Sequence, residues 1–265
     1  MKDILAKMNW NKKYLQEKIW RNNMTDRKVG LLGRLPAKRP EGLHMLAFYQ
    51  GNPLPKAPAK VDVPAVTNWG MLGNDQYGDC TFAGIAHAEI AASQALGLAE
   101  SAPSEQEVVN AYLSYTGGQD QGAVEADLLK FWQSNSLFSG KVSAYAPTDI
   151  ADFEELKSVI ASYGVSYIGI TVPQPCEQQF AQGKPWALTG TPADQNIMGG
   201  HCVVLVGYDE QYFYCITWGK IQAIEPSWLQ SYMQEAWAII TPEIVAKGAY
   251  GDLRLQDLLD DIKKL

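Results

Sequence analysis

No stretch of the 265 residues approaches the roughly 18 to 20 apolar positions in a row that a membrane-crossing helix needs. The opening MKDILAKMNWNKKYLQEK lacks the apolar run and small-residue cleavage site of a secretory signal, so an unexported chain with no membrane span and no signal peptide is expected. Cysteine is sparse: the four at 80, 176, 202 and 215 have neither the paired CxxC spacing of a zinc site nor the density of a small disulfide scaffold, which fits a reducing compartment. GxxxxGK, GxGxxG and HExxH patterns are all missing, and with them the usual signatures of phosphate, dinucleotide and metal chemistry. No cofactor and no metal are expected. A dense basic run is missing too, so a nucleic-acid partner is not expected.

What is present is apolar material enough for a core, with 46% hydrophobic and only 19% charged residues, which excludes a disordered or fibrous chain. The net charge of −7 hides an asymmetry. Residues 1–60 carry 13 Lys and Arg against 4 acids, a surplus of 9, and residues 61–265 carry 9 against 25, a deficit of 16. A basic head attracted to its own acidic body, or to an acidic partner, is the expectation. Within the head, Ile4, Leu5, Met8, Leu15 and Ile19 recur near helical spacing and predict an amphipathic basic helix over 1–23. Prolines at 36, 40, 53, 55, 58 and 64 then mark 24–66 as an extended arm running over the body. The body is expected over 67–245, and a closing helix over 246–265.

Two stretches of the body carry chemistry. In YGDCTFAGIAHAEIAASQAL the alanine-rich, proline-free run predicts a helix of about four turns that starts at Cys80. A helix N-terminus has unpaired N–H groups and partial positive charge, which favour a thiolate; a buried structural cysteine explains the position equally well. In GGHCVVLVGYDEQYFYCITWG, a strand, a short polar turn and a second strand are expected, with His201 at the mouth of the hairpin. A rigid strand is the footing a general base requires. His87 lies seven residues after Cys80, about 10 Å along a helix, which is too far for a hydrogen bond to the thiol. It is read as a packing histidine. His44, in the arm, has no catalytic company, and Cys176, Cys202 and Cys215 read as buried thiols.

Cys80 on a helix start followed 121 positions later by His201 opening a strand matches the order of the papain-like cysteine peptidases, which the chain resembles over about 67–245. The resemblance extends through NWGMLGNDQYGDC, TGGQDQGAVEADLLKFWQSNSL and FEELKSVIASYGVSYIGITVP. It implies an α+β papain-like fold, with a helical part and an antiparallel sheet part flanking a cleft. Some bacterial and phage proteins of unassigned role share the proline-rich lead and a GNDxxGDC signature, which makes a cytoplasmic or virion-associated setting the expectation. The implied function is a thiol-dependent hydrolase, a peptidase or isopeptidase acting on a peptide or protein substrate through an acyl-enzyme. Cys80 is then the nucleophile and His201 the base. The family's oxyanion amide, six residues before the cysteine, falls on Asn74, with Gln76 as a competing candidate. Losing such a donor typically costs about 3 kcal/mol of transition-state stabilisation.

The chain departs from the family pattern where catalysis is tuned. The asparagine that orients the histidine, in NSWG, falls on Ile216 in ITWG, and Thr217 is the expected substitute because the hairpin is one residue shorter. Trp218 matches the tryptophan that shields that contact. Asp79 directly precedes the thiol, where a carboxylate would oppose its ionisation, and Thr81 replaces an aromatic. These departures give a rival reading, a catalytically inactive papain-fold protein that serves as a binding or structural component, for example of a phage particle. A peptidoglycan-cleaving Cys-His amidase is a related alternative that generally has a shorter Cys-to-His separation. The arm is expected to be either an inhibitory pro-segment, cut near 50–66, or a permanent brace.

Overall fold

The computed structural model describes residues 30–95, 97, 102–246, 248 and 250–265. The amphipathic helix expected over 1–23 lies outside the described residues. The described part of the arm is irregular apart from one helical turn, α1 (Leu46–Tyr49), and is stitched to the body at several points. Arg254 N–H donates to the Tyr49 carbonyl at 2.7 Å, and Val61 exchanges both backbone hydrogen bonds with Tyr208 at 2.9 and 3.1 Å.

The helix expected at Cys80 is α2 (Cys80–Ala95). Its residues 80–92 are all buried, as expected of a helix that is apolar and small on every side. Gly84 lets it lie close on the sheet, since a Cβ there would come 2.9 Å from both the Cys202 sulfur and the Tyr167 ring. The Tyr167 hydroxyl donates to the Thr81 carbonyl at 2.8 Å. Two helices follow, α3 (Glu105–Tyr115), opened by a Ser104/Glu107 capping box, and α4 (Glu125–Ser134). After β1 (Ala144–Pro147), α5 (Phe153–Tyr163) is capped by the Asp152 side chain and ended by Gly164 in the left-handed region. Then come β2 (Ser166–Pro173), α6 (Pro175–Ala181), β3 (Ile197–Tyr208), β4 (Phe213–Thr217), β5 (Lys220–Ile224), α7 (Pro226–Tyr232), β6 (Met233–Ile240), α8 (Pro242–Ala246) and α9 (Leu255–Ile262). The closing helix is therefore confined to the last part of 246–265.

The six strands form one sheet in the order β1-β6-β2-β3-β4-β5, with every pairing antiparallel. Side chains alternate between faces along each strand, so β3 divides its residues between two cores. Cys202, Val204 and Val206 join α2, α3 and α9 on one face. Val203 and Leu205 join Trp186, Trp218 and Trp228 on the other. Both faces being covered explains why HCVVLVGY and SYIGITVP are near-continuous apolar runs. The fold is α+β.

Candidate active site

Cys80 opens α2 because the carbonyl of Asp79 accepts the first helical hydrogen bonds, from Phe82 N–H at 2.8 Å and Ala83 N–H at 3.0 Å. The thiol is 1% exposed. Burial pushes it up to about 12, held down in part by the backbone N–H groups of Cys202 and Gly33 that face the sulfur. The thiol thus lies against the strand that carries His201, one residue past the imidazole.

His201 is also buried. Its Nε2 and the Thr217 hydroxyl are 2.8 Å apart, while Nδ1 has no hydrogen-bond partner among the described residues. The ring lies under Trp218, with centroids 5.0 Å apart and planes 27° from parallel. Trp218 adopts a left-handed backbone with φ of 45°, a conformation that costs a bulky residue about 1 kcal/mol or more and that lays the indole over His201. Ile216 faces the apolar core and takes no part. Burial, then the nearby Arg34 cation, pushes the imidazole down to about 3. Thiol and imidazole are therefore both neutral here and make no hydrogen bond with each other. A Thr217→Val chain, which keeps the shape and loses the hydroxyl, leaves the buried His201 Nε2 without a partner and is expected to be less stable by about 1–3 kcal/mol, read as a lowered melting temperature.

Asn74 is buried beside the thiol loop, and its Nδ2 donates to the carbonyls of Leu31 and Tyr77, both at 3.1 Å. Gln76 is exposed and donates to Glu105 at 3.4 Å, so its side chain points away from Cys80. Asp79 is wholly buried, and burial pushes its carboxyl up to about 8. Burial thus suppresses its own ionisation, and the charge it does carry raises the Cys80 thiol, in the direction expected from the sequence. His87 is also buried, with Nε2 3.0 Å from the Trp69 carbonyl, as a packing histidine should be. His44 is exposed and stacks on Phe48 at 4.0 Å.

The groove between these groups is filled by the chain itself, over Gly30–Leu35. Leu31 N–H donates to the Asn74 carbonyl, Arg34 N–H to the Gly200 carbonyl at 3.1 Å, Ala123 N–H to the Gly33 carbonyl at 3.1 Å and Leu35 N–H to the Ala123 carbonyl at 2.9 Å. The segment is so close to the thiol loop that a Cβ on Gly33 would come 1.7 Å from the Gly78 carbonyl oxygen. Sequence reasoning placed an arm here in outline but did not identify these residues. Their only signal was the pair of glycines in VGLLGRLP, spaced for close backbone approach.

Neither a scan against protein-family models nor a search of curated proteins by sequence finds a match. Solved structures do match. Xylellain, a cysteine protease from Xylella fastidiosa, is similar at 18% identity with a TM-score of 0.62, over 81% of this chain and 97% of its own. The cysteine protease and lectin-like domains of Cwp84 from Clostridium difficile match at 14% identity and TM-score 0.54, over 85% of this chain and 58% of that one. Digestive procathepsin L 3 of Tenebrio molitor larval midgut matches at 14% identity and TM-score 0.51, over 81% and 76%. The chain thus has the papain-like fold of these proteins.

Proposed function

We propose that the protein is a thiol-dependent peptidase or isopeptidase held in an off state by its own residues 30–35. The observation that carries this reading is the extended backbone of Gly30–Leu35 lying across Cys80 and next to His201, because a groove that pairs with a main chain on both walls is built to accept a peptide. With that segment displaced, water and substrate reach the site, and the burial that suppresses both ionisations is relieved. The Cys80 proton passes to His201 Nδ1, the nitrogen left free by the contact of Nε2 with Thr217. The thiolate attacks the substrate carbonyl carbon, the C–N bond breaks as the imidazolium gives its proton to the leaving amine, and water then releases the acyl group. Asn74 Nδ2, which now holds the Leu31 carbonyl, is positioned to receive the oxyanion in its place.

The arm then acts as a pro-segment. Residues 51–60 are mostly exposed and offer a protease a cutting site, and a cut there leaves Val61 bonded to Tyr208. The test compares the intact chain, the chain nicked by limited proteolysis in 51–60, and nicked Cys80→Ala and His201→Ala chains on a mixture of unstructured peptides. Hydrolysis is expected only in the nicked natural chain. A nicked chain that has released residues 30–35 and still cleaves nothing contradicts the proposal. It would favour the rival reading of a silent papain-fold binding component, in which the segment is a permanent brace and the unbonded thiol and imidazole are the resting state.

A further inference from the structure

Arg34 is the one residue of the groove-filling segment whose side chain is charged, and it is buried. Its backbone N–H reaches the Gly200 carbonyl, and its side chain, 2% exposed, enters a slot in the wall of the groove. Glu235 of β6 accepts from Arg34 Nε at 3.0 Å and from Nη2 at 2.8 Å on the same oxygen, Oε1. Its other oxygen is fixed by the Trp237 indole N–H at 3.2 Å. Glu125, fully buried in the first turn of α4, places Oε1 3.4 Å from Arg34 Nε. Its other polar neighbours are the Cys202 thiol and the Trp237 indole N–H.

The floor of the slot is Gly169, paired across the sheet with Cys202 on one side and Glu235 on the other. A Cβ on Gly169 would fall 2.1 Å from Arg34 Nε, so the slot exists because that residue is glycine. Burial and the neighbouring Glu235 hold the Glu125 carboxyl well above the usual carboxylate range, so Glu235 is the charged partner of the Arg34 cation, and removing that cation leaves a buried carboxylate unpaired at high cost. A slot of this shape and charge has a planar cation as its natural occupant, since a guanidinium fills it flat and bonds through two donors where an ammonium bonds as a point.

We infer that this slot is a side-chain selection pocket for arginine, and that Arg34 occupies it as an internal stand-in for a substrate arginine. Resting on the proposed peptidase reading, the inference names the substrate class: unstructured peptides or exposed loops carrying arginine close to the bond cut. It also explains how the off state is held. The segment is retained by its main-chain bonds and by the same contact that would recognise a substrate.

The test separates binding from turnover. In the full-length Arg34→Ala chain the segment loses its anchor and the slot is empty. Acetyl-Leu-Arg-amide is expected to slow iodoacetamide labelling of Cys80 and to raise the melting temperature at concentrations at least tenfold lower than acetyl-Leu-Leu-amide requires. Adding Glu235→Gln to that chain is expected to erase the preference. The Gly33→Ala chain, which keeps Arg34 and both carboxylates, is a second background in which the same preference is expected, should Arg34→Ala not fold. Equal effects of the two peptides, or none, in a folded background overturn the inference. Four fluorogenic peptides with Arg or Leu at each of the two positions before the reporter then report hydrolysis. An arginine preference in binding without hydrolysis supports the pocket and overturns the peptidase reading. Hydrolysis with no preference for arginine at either position supports the peptidase reading and overturns the pocket.

Discussion

Replacing Gly33 with alanine speeds alkylation of Cys80 by iodoacetamide about fiftyfold at pH 7.5. The added Cβ has no space against the Gly78 carbonyl, so the segment over the thiol must lift. In the natural chain burial holds the thiol near 12. Relief of burial alone, before any help from His201, returns it to an ordinary value of about 8.5 and raises the thiolate fraction by about 3000-fold, while the weaker nucleophilicity of a less basic thiolate gives back about 60-fold. The net gain is about fiftyfold before any gain in access is counted. Peptide mapping by mass spectrometry reads it directly, because Cys176, Cys202 and Cys215 are buried within the two cores and stay protected. A Gly33→Ala chain that folds and labels no faster than the natural one contradicts the role given to the segment.

The second large effect is on stability. Asp79 is raised from 3.8 to about 8 by burial, which outweighs the lowering by the Asn74 side chain and the Asp79 backbone N–H. A carboxyl whose folded value is raised contributes stability that is present below its unfolded value and is lost as pH climbs through the folded one. Glu89, raised to about 7, acts in the same direction. His87 and His201, lowered by burial to about 4 and about 3, act oppositely, their contribution being present above 6.5 and lost as pH falls below it. The two sets oppose each other between pH 4.5 and 6.5, and above 6.5 the histidines no longer matter. Stability is therefore expected to fall between pH 6.5 and 8 by about 2 kcal/mol from Asp79 alone, at 1.36 kcal/mol per unit for one proton. Asp79→Asn should remove most of that fall. Thermal melts at the two pH values check it, as a difference of roughly 5 °C in the natural chain that shrinks in the variant.

How much of this was legible beforehand depended on whether a feature is local. The α2 start at Cys80 and the β3 and β4 hairpin follow from runs of residues close in sequence, and spacing and hydrophobic period carry them, while the Thr217 hydroxyl near His201 was indicated only by the resemblance to the papain-like NSWG segment. The segment Gly30–Leu35 is six residues of loop with no period of its own, and its place depends on Gly78, Ala123 and Gly200, which are far apart in the chain. The slot is more remote still. Arg34 reads as one more solvated cation of a basic head, and Glu125 and Glu235 as surface acids of an acidic body, until the sheet brings them together. Asp79 was legible only in part for a related reason. Sequence gives its opposition to the thiol, but only burial shows how far its own ionisation is suppressed.

The central claim is that Cys80 and His201 become a working pair once the segment over them is displaced. It is tested most directly by the pH profile of Cys80 alkylation in the Gly33→Ala chain, with and without His201→Ala. The account predicts rapid alkylation persisting well below pH 7 when His201 is present, as expected of a thiolate held beside an imidazolium. That acid limb should vanish in the double variant, leaving a single rise near the ordinary thiol value. The same single rise in both chains would contradict it.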